Sequence, residues 1–367
     1  MRSLAALSLA VMLGTAGAAP VQAAPTDNVF RPDASGPSRA EIERLLQEAD
    51  ARVRAGDAAG ARRLAEQAAA SGDPDALNVL AAYVATGVGA PADEARAVTL
   101  YERAVAAGSP WAMINLGSRL VREERTAAEQ RRGIQLLTLA YGDPRVKYAA
   151  AAELGVAYMF GVGVAEDLPR GAALLEEAEA GGNTDAYLLY MLGRTYEEGW
   201  GGRTPDPVRA HGYHFRAAQQ GNARSAWVVG MNLLNGTGVA KNEAEAYRWV
   251  RRSGEAGDLR GQISTAVMLA LGQGTAENDV EARAWYRKAA EAGSAHGLRG
   301  LGIMIYTGEG GAADPAMGYA YLQLASAGGD ENAGRILERI PAPSDRAAVE
   351  GHKAAWIAAH GKPGSDD

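Results

Sequence analysis

Residues 154–164 (Leu-Gly-Val-Ala-Tyr-Met-Phe-Gly-Val-Gly-Val) contain the pattern that decides the fold of this 367-residue chain. A small residue stands inside an apolar helical pattern, and a Gly-x-Gly turn follows it six residues later. The turn occurs six times, with its first glycine at residues 87, 161, 199, 236, 272 and 308. The steps are 74, 38, 37, 36 and 36, and because 74 is twice 37, the period is 36 to 38 residues. Repetition at this period predicts stacked helical hairpins.

A second glycine series marks the end of each repeat. Its members are Gly72, Gly108, Gly142, Gly182, Gly221, Gly257, Gly293 and Gly328. Before Gly293, apolar residues follow the i, i+3, i+4, i+7, i+8 spacing of one helix face: Ala282, Trp285, Tyr286, Ala289 and Ala290. Each repeat is therefore predicted to be an αα-hairpin that is stable only when it stacks on its neighbours.

The small residues before the turns predict closely packed helices. They are Ala81, Gly155, Gly193, Gly230, Ala266 and Gly302. A glycine inside a helix costs about 1 kcal/mol relative to alanine, so close packing must offset that cost. We therefore expect helix backbones in near contact at these positions.

The motif of residues 154–164, together with residues 283–293 (Arg-Ala-Trp-Tyr-Arg-Lys-Ala-Ala-Glu-Ala-Gly), resembles the Sel-1-like repeat. The resemblance covers roughly residues 75–335, although residues 110–142 depart from it and look more like a plain tetratricopeptide repeat. It implies an α/α superhelix used as an adaptor, in bacteria often in the envelope. The expected fold is an all-α α/α solenoid, a right-handed superhelix of about seven helix-turn-helix units plus end caps.

The ends of the chain predict export and capping. A short basic start and a brief apolar run predict a signal peptide over residues 1–23, with cleavage after Ala23, and hence a periplasmic location, with secretion possible. The predicted segments that follow are a flexible leader (24–37), an N-terminal capping hairpin (38–73), the repeat array (74–340), and a C-terminal capping helix with a tail (341–367). Ser38 and Glu41 are expected to form a capping box at the first helix.

Composition limits the partners. The chain has no cysteine, so we expect neither a lipid anchor nor a disulfide. Its formal net charge of −7 argues against nucleic acid as a partner. No segment after the signal peptide reaches eighteen consecutive apolar residues, so membrane insertion is not expected.

The sequence displays no recognisable catalytic or metal-binding pattern. His211 and His214 share one helix face, but His214 aligns with Tyr101 and Tyr286 of other repeats and no third ligand is recognisable. The Gly-x-Gly turns follow no strand and lack the sequence of a phosphate-binding loop. We therefore expect no metal, no cofactor and no enzymatic activity.

The candidate partner-binding residues come from two observations. Four polar residues are placed on a binding face by their offset from the small packing residue in the first helix of a repeat: Asn115, Arg119, Arg194 and Asn232. The irregular stretches supply Arg122 and Arg125, within residues 119–132, and Trp200. Residues 119–132 form either a docking surface or a solvated helix pair, and Trp200 either anchors a partner or folds back on its own hairpin.

These features predict a non-catalytic periplasmic scaffold or adaptor that binds protein partners, most simply envelope proteins. The alternative is a periplasmic regulator of an envelope sensor or of a polysaccharide-assembly complex, as the family resemblance permits. An envelope enzyme is a third class, which catalytic turnover by the purified protein would support.

Overall fold

The computed structural model describes residues 37–364, which form 18 α-helices and no named β-strand. The predicted signal peptide and nearly all of the predicted leader lie outside these residues. The helices are α1 (Arg39–Arg54), α2 (Ala58–Ala69), α3 (Pro74–Thr86), α4 (Glu94–Ala106), α5 (Pro110–Leu120), α6 (Ala127–Tyr141), α7 (Lys147–Phe160), α8 (Leu168–Ala180), α9 (Ala186–Glu198), α10 (Pro207–Gln219), α11 (Ala223–Asn235), α12 (Glu243–Glu255), α13 (Leu259–Ala270), α14 (Asp279–Glu291), α15 (Ala295–Thr307), α16 (Pro315–Ala327), α17 (Glu331–Leu337) and α18 (Arg346–His360).

The helices alternate along the chain as the repeat predicts, which confirms the all-α repeat fold. From α3 to α16 the odd-numbered helices are the first (A) helices of repeats and the even-numbered helices are the second (B) helices. At the C-terminal end α18 packs on α16 and buries Val349 and Trp356. No helix within residues 37–364 has the length and apolarity needed to cross a bilayer.

By internal packing the chain divides within α9 into two compact units. The N-terminal unit contains the described residues up to Met191 together with residues 200–203, and the C-terminal unit contains residues 192–199 and those from Thr204 onward. In the N-terminal unit one apolar core extends from Ile42 to Leu136. The C-terminal unit contains smaller clusters, such as the one around Leu298, Leu322 and Trp356.

Glycines inside the helices allow A and B backbones to approach closely, as predicted. A Cβ atom added to Gly318 of α16 would lie 2.6 Å from the carbonyl oxygen of Gly302 in α15. The departing hairpin of α5 and α6 has the same contact, since a Cβ on Gly133 would lie 2.8 Å from the Gly117 oxygen. This hairpin therefore keeps the packing of the repeat although it lacks the glycine turn.

The second glycine of each Gly-x-Gly turn lies against the preceding repeat. Gly89 has a φ of 73°, and a Cβ there would lie 2.5 Å from the Ala58 oxygen at the start of α2. Gly163, with a φ of 74°, approaches the Gln130 oxygen of α6 in the same way. A side chain would strain the turn and separate the two repeats, which is the structural cause of the periodic glycines.

Candidate protein-binding surface

Asn115 and Arg119 are buried, which corrects the expectation that they line an open face. Each is 7% exposed. Nδ2 of Asn115 donates a hydrogen bond to Oδ1 of Asn78 at 2.9 Å. Nη1 of Arg119 donates to Glu94 at 2.7 Å, and its guanidinium lies 5.4 Å from the centre of the Tyr101 ring. Both side chains are therefore committed to contacts between repeats.

The arginine-rich stretch 119–132 is paired with glutamates. Its ion pairs, all within 4.0 Å, are Arg119–Glu94, Arg122–Glu124, Arg125–Glu94, Arg125–Glu129 and Arg132–Glu102. Glu94 and Glu102 come from α4, so residues outside the stretch neutralise part of its charge. Both interpretations of this stretch, a docking surface or a solvated helix pair, therefore stay open, and binding of a partner by Arg122 and Arg125 stays a prediction.

The remaining predicted residues are divided between the two units. Trp200 is half-buried in the N-terminal unit, and its carbonyl oxygen accepts a hydrogen bond from Arg203, which also pairs with Glu176 of α8 at 2.7 Å. In the C-terminal unit Arg194 lies 3.3 Å from Glu198, and Asn232 of α11 is half-buried. Partner binding by these three residues stays a prediction.

His214 belongs to a buried polar cluster in the C-terminal unit. Its Nδ1 lies 3.3 Å from Oγ of Ser225, and its Nε2 lies 3.7 Å from Glu197, whose pKa the imidazole lowers. The order serine, histidine, carboxylate resembles a catalytic triad, but Ser225 and His214 are both 0% exposed, so no substrate reaches the hydroxyl. Burial also lowers the pKa of His211. Within the described ranges no three histidine or carboxylate side chains group together as metal ligands would.

Glu153 is a titratable group that the sequence analysis missed. It lies in the middle of α7 with 8% exposure, and burial raises its pKa to about 7. With Asn183, Asp185 and Tyr187 it lines a cavity of about 20 Å³, which is room for a single water molecule. That volume excludes an organic substrate. The sequence signal for Glu153 was a lone carboxylate inside an otherwise apolar helix.

A row of basic side chains along the C-terminal unit was also missed. Arg224, Arg260 and His296 occupy the second position of α11, α13 and α15, at intervals of 36 residues. The side chains of Arg224 and His296 are 38% and 44% exposed, and Arg260 is exposed. The repeat alignment carries this signal, at a position far from the small packing residue of each A helix.

Arg224 and Arg260 each contact a residue of the neighbouring repeat between α11 and α13, a place that we call the arginine seam. Nε of Arg224 donates to Oδ2 of Asp258 at 3.1 Å, so this side chain reaches forward to the next repeat. The Arg260 guanidinium lies 5.4 Å from the centre of the Trp227 ring, so it reaches back. Asp258 also caps α13 by accepting a hydrogen bond from the Gly261 amide.

The N-terminal unit has aromatic residues at the same repeat position. They are Trp111, Tyr148 and Tyr187, at the second position of α5, α7 and α9. Tyr148 is 40% exposed, and the rings of Tyr187 and Tyr190 lie 6.0 Å apart. From α5 to α15 the second position of each A helix therefore carries a large side chain that is at least partly exposed.

Comparison with known proteins found solved structures that are similar to this chain. No curated protein is significantly similar to the chain. Among solved structures, a Sel1 repeat protein from Oxalobacter formigenes has 21% identity and a TM-score of 0.55 over 68% of this chain and 96% of its own. A protective antigen of uropathogenic Escherichia coli with an SLR fold has 21% identity and a TM-score of 0.48, and the match covers 87% of this chain and 77% of the antigen's chain.

The Sel1 repeat family model matches six segments, which together make up more than half of the chain. They are residues 74–109, 149–183, 186–222, 223–258, 260–294 and 295–330. The unmatched segment between the first two contains α5 and α6, the hairpin that lacks the glycine turn. The repeat pattern, the helical hairpins and the match together establish that the chain belongs to the Sel1 repeat family.

Proposed function

We propose that this chain is a non-catalytic periplasmic scaffold that holds a protein partner against the A helices of its repeats. Sel1 repeats generally mediate protein–protein interactions, and the family is generally non-catalytic. The observation that carries the proposal is the periodic row of Arg224, Arg260 and His296. These side chains remain partly open to solvent, whereas the residues that set the fold are buried.

The buried groups support a binding role over catalysis. The hydroxyl of Ser225 and the carboxyl of Glu153 have the neighbours that a reactive group requires, but neither has space for a substrate. A repeat array instead presents many similar surface positions along its length, which suits recognition of another chain.

The periplasmic location rests on the predicted signal peptide and is tested by fractionation. A C-terminally tagged chain is expected in the periplasmic fraction, with its N-terminal sequence starting at Ala24. Recovery of the uncleaved chain from the cytoplasm would overturn the location and leave the binding role open.

The binding role is tested by crosslinking the tagged chain in intact cells and identifying the captured proteins by mass spectrometry. We expect one envelope protein in constant ratio to the scaffold, captured less when Arg260 is replaced by glutamate. The matched control is Arg248→Glu, which changes the charge equally at an exposed position on the B helix α12. Recovery of the scaffold alone, together with turnover of an envelope substrate by the purified chain, would contradict the proposal.

A further inference from the structure

We propose that the arginine seam binds an extended, acidic segment of the partner protein. The inference rests on the proposed function, because it names the chemistry that the scaffold recognises. It depends on charge at the seam and on an example of an extended segment bound at an equivalent place in the same unit.

Charge at the seam favours an anionic ligand. Two guanidinium groups, from Arg224 and Arg260, lie there, and the ion pair at the seam uses only the carboxylate of Asp258. That carboxylate already accepts hydrogen bonds from Arg224 and from the first turn of α13. The positive end of the α13 dipole lies at the same place. The seam therefore has unbalanced positive charge, on a chain whose formal net charge is −7.

The arginines are held in position before any ligand arrives. Arg224 is fixed by Asp258 at 3.1 Å, and Arg260 is held over Trp227, whose Nε1 donates to Oγ of Ser264 at 3.0 Å. Side chains that are already ordered lose less conformational entropy on binding. Arginine also pairs with carboxylates through two parallel hydrogen bonds, which adds geometric selectivity.

The chain's own C-terminal segment indicates how an extended ligand lies on such a turn. The amide of Gly364 donates to the carbonyl oxygen of Gly293 at 3.1 Å, and Ser294 and Gly364 form a parallel β-bridge. Pro363 packs beside Gly328 at the end of α16. The turn between a B helix and the next A helix thus accepts an extended backbone.

The arginine seam has a turn of the same geometry. Gly257 precedes α13 with a φ of 92°, and the φ of Gly293 is 94°. Within residues 37–364 the Gly257 carbonyl oxygen accepts no backbone hydrogen bond. An extended peptide can therefore donate an amide to Gly257 while its carboxylates meet Arg260 and Arg224. In the N-terminal unit the second positions of α5, α7 and α9 carry aromatic side chains, which lack the positive charge of the two arginines.

The test measures fluorescence anisotropy of a labelled octapeptide of alternating aspartate and serine titrated with the mature chain. The matched probe has lysine in place of aspartate. We expect the aspartate peptide to bind, the lysine peptide not to bind, and affinity to fall between about 0.05 M and about 0.5 M salt because screening weakens exposed charge pairs. Arg260→Glu should weaken binding at least about tenfold, whereas Arg248→Glu should change it less than about twofold.

Circular dichroism is used to check that both variants fold, and we expect them to fold because Arg260 and Arg248 are exposed. Equal losses in the two variants, or equal binding of both peptides, would overturn the inference. The inference would also be overturned if the Arg260→Glu variant captured the same envelope protein in cells at an undiminished level. In that case the scaffold function would stand. Absence of any captured partner of the unaltered chain counts against the scaffold function itself.

Discussion

Replacing Gly318 by alanine tests whether the glycines inside helices exist because backbones touch. The added Cβ would lie 2.6 Å from the Gly302 oxygen and 2.6 Å from the Tyr306 nitrogen, where ordinary contacts begin at 3.4 Å. The α15 and α16 backbones must therefore separate by the difference, 0.8 Å. Overpacking of this kind costs about 3 kcal/mol, and the gain in helix propensity is about 1 kcal/mol. We expect a net destabilisation of about 2 kcal/mol.

Gly212→Ala is the matched control. Gly212 lies in α10, is exposed, and has nothing within 4 Å of an added Cβ. Helix propensity alone then applies, so this variant should gain about 1 kcal/mol of stability. Amide hydrogen exchange of α15 and α16 is the appropriate assay for Gly318→Ala, because destabilisation in a repeat array is concentrated near the altered repeat. If both variants slow exchange in their own helices, the close-packing argument is refuted.

The other predictions concern buried groups. Glu153→Gln should increase the free energy of unfolding by up to about 3 kcal/mol at pH 8 and little at pH 4. The reason is that the pKa of Glu153 in the folded chain is about 7, above the ordinary 4.5. Ionisation of the buried carboxyl therefore lowers the stability of the unaltered chain increasingly from pH 4.5 to 7. Equal stability of the two chains in urea melts at pH 8 would contradict it. Gly193→Leu should cost several kcal/mol, since even a Cβ would lie 2.6 Å from the His214 ring, and an unchanged melting temperature would argue against this packing. Asn115→Ala should cost about 1 to 3 kcal/mol by leaving the buried Oδ1 of Asn78 without a donor, and a thermal melt equal to that of the unaltered chain would disprove it.

The sequence predicted the repeat because its determinants are local and periodic. Gly155 and Gly302 mark the A helices, and the glycine turns place each hairpin against the preceding repeat. The departing hairpin of α5 and α6 was harder to classify because its turn glycine is missing. Its packing glycines, Gly117 and Gly133, were present and could have identified it.

The candidate site could be predicted only in part, because exposure depends on contacts between repeats. Asn115 and Arg119 are polar residues on A helices, but their exposure is decided by Asn78 and Glu94 of the preceding hairpin. Asn78 precedes Asn115 by 37 residues, which is one period, so this contact could have been inferred. The pairing of Arg119 with Glu94 spans 25 residues and follows no repeat interval, so only the structure reveals it.

The most direct test of the central claim is a calorimetric titration of the mature chain with the envelope protein that crosslinking identifies. A scaffold that holds one partner on its A helices predicts saturable binding at a fixed stoichiometry, weakened by Arg260→Glu and preserved in Arg248→Glu. Absence of heat and of complex formation at concentrations that keep both proteins folded would contradict the claim that this chain works by binding another protein.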